Sequence, residues 1–117
     1  MGIVGNLHLE RAIAFKVEGK YDDALSELHD LLKAEPDNVE AHHQLGLVLG
    51  FIGEFEQSLE ELKKAAGMES TNVAILNDLA LTYAMLGMYA EAKHEFERVL
   101  ALDPANEVAK RNLALFD

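Results

Sequence analysis

Cysteine is absent from the 117 residues of this chain, and proline occurs twice. Without cysteine there is no disulfide framework, no thiolate metal site and no thiol nucleophile, a composition that fits a reducing compartment. With only Pro36 and Pro104, and no Ser/Gly-rich or low-complexity stretch, nothing marks a linker to a second domain. Long apolar runs are missing too. The longest, Leu45–Gly53, is less than half of what a bilayer requires. The opening residues MGIVGNLHLERA have no basic flank and no apolar h-region, so they are not a signal peptide, and a cytoplasmic location is expected. Serine is scarce (Ser26, Ser58, Ser70), and none sits beside a histidine in a way that would support a nucleophilic site.

Positive charge is also short. Ten Lys and Arg face 21 Asp and Glu, a formal net charge of −11. A phosphate backbone and an anionic membrane surface would both repel such a chain, so neither nucleic acid nor membrane insertion is expected.

What is present is recurrence. Gly19, Gly53 and Gly87 are spaced 34 residues apart, in the contexts GKYDDAL, GEFEQSL and GMYAEAK. Two residues after each comes an aromatic (Tyr21, Phe55, Tyr89), and five after comes a small residue (Ala24, Ser58, Ala92). Leu28, Leu62 and Phe96 follow in register, then Asn38, Asn72 and Asn106, while Pro36 and Pro104 agree and Ser70 departs. So many columns in phase over three copies identify an internal repeat, which outranks any local motif. Each copy predicts a helix, a turn and a helix. The asparagines are N-caps, the glycines are left-handed helix stops, and the prolines end the second helix. Gly46 is the small residue that lets two helices approach.

These residues resemble the tetratricopeptide repeat, whose period and signature they follow over 5–38, 39–72 and 73–106, with 107–117 expected as a closing helix. The first copy departs, with His8 and Arg11 where the family usually has a large apolar residue and a leucine. The resemblance implies an all-α fold, a right-handed solenoid of stacked antiparallel helix pairs. It also implies that the first helix of each repeat lines a concave groove. That face would comprise Asn6, Leu9, Glu10, Ile13, Lys16 and Val17, then Glu40, His43, Gln44, Leu47, Gly50 and Phe51. The third repeat would add Ala74, Asn77, Asp78, Leu81, Ala84 and Met85, and the tail Arg111, Asn112 and Leu115. An apolar ladder runs along it, through Ile13, Val17, Leu47, Phe51, Leu81, Met85 and Leu115, with the small Gly50 and Ala84 beside it. Contiguous exposed apolar surface of this kind marks an interaction site.

One variant of the family grips the C-terminal carboxylates of heat-shock chaperones with cations and asparagines. The matching slots here hold Leu9, Ile13, Gln44, Ala74 and Asp78, so that clamp is not expected. Gly46, Gly50 and Gly53 are not a phosphate loop, since Gly53 is followed by Glu54. The five histidines lack the spacing of a metal site, and His8 and His42 read as packing residues at a helix seam. Glu54, Glu56, Glu60, Glu61, Glu91, Glu95 and Glu97 read as a solvated helix face interleaved with Lys63, Lys64, Lys93 and Arg98, with Glu60–Lys64 as an i,i+4 pair.

The expected function is therefore a non-catalytic adaptor or scaffold that holds a partner protein or peptide in the groove, without cofactor or metal. The alternative is a self-assembling protein, a homo-oligomer joined through the groove or through the apolar end Asn112–Phe116.

Overall fold

Glycines 19, 53 and 87 each adopt positive φ, at 78°, 86° and 75°, a conformation glycine reaches at little cost. These three turns divide the chain into hairpins of nearly equal length. In the computed structural model, which describes residues 3–116 and their side chains from Leu7 onward, the first hairpin is α1 (Ile3–Val17) and α2 (Tyr21–Ala34). The second is α3 (Val39–Phe51) and α4 (Phe55–Met68), and the third α5 (Val73–Met85) and α6 (Tyr89–Leu102). A closing helix α7 (Glu107–Leu113) runs into a single 3-10 turn, Ala114–Phe116. The hairpins stack as a right-handed solenoid measuring 44 × 26 × 21 Å.

The asparagine caps form as expected. Asn38 Oδ1 accepts from the Ala41 amide at 2.9 Å, Asn72 Oδ1 from Ala74 and Ile75 at 3.1 and 3.3 Å, and Asn106 Oδ1 from Ala109 at 3.1 Å. Each supplies an acceptor to an amide that has no partner within its own helix.

Packing follows the repeat columns. Ala24, Ser58 and Ala92, the small residues of the second helices, are all buried. Against them lies one core of Ala12, Leu28, Leu31, Ala41, Leu45, Val48 and Leu49, and another of Leu76, Ala80, Phe96, Val99 and Ala109. Fully burying a leucine or phenylalanine is worth about 1.5–3 kcal/mol, so these columns hold the hairpins together. Gly46 is required at its position, because a Cβ there would stand 2.7 Å from Leu62 Cγ.

Three sequence readings need correction. The closing helix ends at Leu113, and beyond it Phe116 folds back to lie 6.0 Å from Tyr89 and 6.4 Å from Phe96, between ring centroids. Leu113 and Phe116 both pack on the second core, so most of the apolar tail is spent inside the chain, and Leu115 alone of its large residues stands exposed. Glu61 and Glu95 are not part of a solvated face: Glu61 Oε1 accepts from His42 Nδ1 at 2.6 Å, and Glu95 is buried against Arg98 at 2.9 Å. Lys64 pairs with Glu61 at 3.2 Å instead of with Glu60, because His42 holds the Glu61 carboxylate within reach.

Candidate functional site

The first helices α1, α3 and α5 lie side by side on one face, and the residues assigned to the groove divide there into two groups. One group is apolar and open. Leu47, Phe51, Leu81 and Met85 line a cleft of about 300 Å³ between α3 and α5, together with Gly46, Gly50, Phe55, Ser58, Asp78 and Thr82. Phe51 is 59 % exposed and Met85 63 % exposed, large values for apolar side chains in a folded chain. Phe51 is steadied on one side by Tyr21, whose ring stacks on it with centroids 5.8 Å apart. The two hydroxyls in the wall are committed elsewhere. Ser58 Oγ donates to the Gly46 carbonyl at 2.6 Å, and Thr82 Oγ1 to the Asp78 carbonyl at 2.9 Å. The cleft thus presents hydrocarbon and one carboxylate.

The second group is polar and closed. His43, Gln44 and Asn77 are more than nine-tenths buried, in seams between helices, so they are not open groove surface. Lys16 Nζ donates to Gln44 Oε1 at 2.7 Å, and Gln44 Nε2 donates to Glu40 Oε1 at 2.8 Å. His43 bonds to Asp78 Oδ2 at 2.6 Å through Nε2, while its Nδ1 lies 3.5 Å from Glu40 Oε1. This chain of contacts crosses from α1 through α3 to α5 and alternates in sign. Burial by itself would push the His43 pKa down, but hydrogen bonds and charge from Asp78 and Glu40 outweigh it and raise the pKa to about 9. The His43 ring 3.5 Å away is the main reason the Glu40 carboxyl is held below its usual range. Asn77 Nδ2 donates to Asn106 Oδ1 at 3.1 Å, tying α5 to the cap of α7.

The remaining groove residues are scattered. Leu9 is half-buried and packs on the first core, and Ile13 is half-buried beside it in α1. Val17 is exposed one repeat away from the cleft. Arg111 is exposed on α7, and Asn112 donates back to the Val108 carbonyl at 2.8 Å. The side chain of Asn6 lies outside the described residues.

A periodic feature of the second helices escaped the sequence reading. Glu27, Glu61 and Glu95 occupy one repeat column, and the first two reach the preceding first helix while Glu95 pairs with Arg98 on its own helix. Glu27 meets His8 at 2.5 Å and Arg11 at 3.9 Å, and Glu61 meets His42, whose other nitrogen bonds to the Pro36 carbonyl at 2.6 Å. In the third repeat the histidine slot is Leu76, and Glu95 pairs with Arg98 instead. The 34-residue spacing of these acids was the available signal. His8 and His42 therefore sit at helix seams, and Arg11 joins the first of them. Among the described residues no group of three or more His, Asp or Glu side chains converges as a metal ion would require.

Sequence profiles described as tetratricopeptide repeat match residues 5–48, 39–72 and 73–106, together spanning most of the chain. The chain belongs to the tetratricopeptide repeat family. Solved structures of the family superpose closely on this repeat protein. The first TPR of Spaghetti (RPAP3), bound to the HSP90 peptide SRMEEVD, gives a TM-score of 0.90 at 22 % identity, over 95 % of this chain and 88 % of that one. The second TPR domain of human RPAP3, in complex with the HSP70 peptide SGPTIEEVD, gives 0.89 at 23 % identity, over 97 % and 94 %. The Arabidopsis OM64 TPR domain gives 0.88 at 20 % identity, over 97 % of each chain. At such identities the likeness establishes the fold. Among curated proteins nothing matches the sequence.

Proposed function

We propose that this repeat protein is a non-catalytic interaction module that holds a segment of a partner protein in the cleft between α3 and α5. The observation that carries this reading is the cleft itself. Five large apolar side chains (Leu47, Phe51, Phe55, Leu81, Met85) surround a hollow that no part of the described chain fills. Exposed apolar surface gathered into a concavity is what an interface buries on binding. Structural neighbours bind chaperone peptides, as their names state, which supports a peptide as the kind of partner. The acidic chaperone ends are not the peptides proposed here. In the clamp slots Leu9 packs on the core, Gln44 is held by Lys16 and Glu40, and Asp78 is a carboxylate bonded to His43, so none of them offers a cation.

The unit that does this is a single domain of three repeats, 5–38, 39–72 and 73–106, closed by α7. It acts in the cytoplasm, a proposal consistent with the finding that no helix among the described residues is long and apolar enough to cross a membrane.

The test is affinity capture from native lysate with wild type and Phe51→Glu side by side. Phe51 is mostly exposed, so the variant should keep its helicity and most of its melting temperature. A protein captured by wild type and lost by this variant supports the reading. Capture of the same set by both places binding elsewhere and overturns it. Capture of the chain itself alone would favour self-assembly.

A further inference from the structure

The cleft has a polarity as well as a shape. None of its lining residues is basic, and its one charged group, the Asp78 carboxylate, is already bonded to His43 at 2.6 Å, so the free negative charge lies at the rim of the cleft. Through Phe55, which belongs to both, it adjoins a second hollow of about 290 Å³ lined by Gly53, Glu54, Phe55, Glu56, Gln57 and Leu86. That hollow carries two exposed carboxylates and no cation. The cationic Lys16 on the same concave face is already engaged by Gln44 next to Glu40, and Lys20 by Glu18 at 3.1 Å. The surroundings are those of a chain with net charge −11.

We infer that the occupant is a short cationic segment of a partner protein, with one bulky apolar side chain seated in the cleft and a neighbouring Lys or Arg over Glu54 and Glu56. The inference rests on the proposed reading of the cleft and adds to it the chemistry of the partner. The volume suits the apolar part: about 300 Å³ is the low end of small-ligand sites, room for one large side chain and little more. The charge suits the flank, because complementary potentials raise the association rate and reject partners of the wrong sign. A second copy of this chain is the poorer occupant. Each copy brings the same net charge of −11, and the apolar tail that would have joined copies is largely packed on the second core.

Three fluorescein-labelled peptides of one length test this, each with a single central phenylalanine, flanked by Lys and Arg, by Ser and Gln, or by Glu and Asp. A fourth is the cationic peptide with alanine in place of the phenylalanine. Fluorescence anisotropy is read with wild type, Phe51→Ala and the double variant Glu54→Gln/Glu56→Gln, at low and at roughly threefold higher salt. The expected result is tightest binding of the cationic peptide, tenfold or more over the acidic one at low salt, with the gap shrinking as salt rises. The double variant should weaken the cationic peptide and leave the neutral one unchanged. Phe51→Ala, and loss of the phenylalanine, should weaken binding several-fold.

Equal binding of all three charge types, still lost in Phe51→Ala, overturns the inference and leaves the cleft reading standing. Cationic binding indifferent to Phe51→Ala and to the phenylalanine is diffuse electrostatics, and overturns both. Absence of binding by every peptide overturns the inference, leaving lysate capture to decide the cleft reading.

Discussion

Raising the pH from 6.5 to 9 should destabilise this protein through one side chain, His43. In the folded state its Nε2 is 2.6 Å from Asp78 and its Nδ1 3.5 Å from Glu40, and these acids lift its pKa from 6.5 to about 9. A group whose pKa is raised on folding stabilises the fold fully below its unfolded pKa. That stability is lost as the pH climbs through the folded one. A displacement of this size corresponds to about 3 kcal/mol between the two limits. Glu40 is held below its usual range by His43, so it does not titrate in this window and mask the effect. The assay is urea unfolding at intervals from pH 6 to pH 9.5, on wild type and on His43→Gln, with the imidazole titration followed by NMR. Wild type should lose stability steadily above neutrality, and His43→Gln should be flatter. A wild-type profile that is flat or rises across this range, or an imidazole that titrates below 7, would refute the argument that Asp78 and Glu40 outweigh burial.

Other outcomes follow from packing. Gly46→Ala drives a Cβ to within 2.7 Å of Leu62, and should cost about 1–3 kcal/mol in denaturant unfolding as the hairpin of α3 and α4 is forced apart. Gly50→Ala meets only Ser58 Oγ at 3.5 Å, so the gain in helix propensity should raise stability by about 0.5 kcal/mol while the cleft narrows and partner affinity falls. Phe96→Ala empties the centre of the second core and should cost about 3–5 kcal/mol, seen as a large drop in the unfolding midpoint. Glu27→Ala removes the partner of His8 and Arg11 and should loosen α1, read as faster amide exchange confined to the first hairpin.

Most of the scaffold was legible because it is repeated. Gly19, Gly53 and Gly87 recur where the backbone turns left-handed, and Asn38, Asn72 and Asn106 recur where a helix must start; both requirements are local. The site was less legible because a helical projection places side chains by angle alone. By angle His43, Gln44 and Asn77 belong with Leu47 and Phe51. Helices packed close enough to bond across their seams close over the former and leave the latter open. The acid column Glu27, Glu61 and Glu95 was hidden differently: amid so many surface carboxylates its members look alike until their partners His8, His42 and Arg98 are seen. The tail misled for a third reason, since Phe116 reaches the core only by a 3-10 turn that carries no sequence marker.

The absence of native cysteine makes the central claim directly measurable. A thiol-linked photo-crosslinker can be placed at Met85→Cys, on the cleft wall, or at Lys63→Cys, on the exposed face of α4, and each protein irradiated in native lysate. The account predicts that one partner protein is captured from the cleft position and not from α4. Capture of that partner from Lys63→Cys, with none from Met85→Cys, would contradict it.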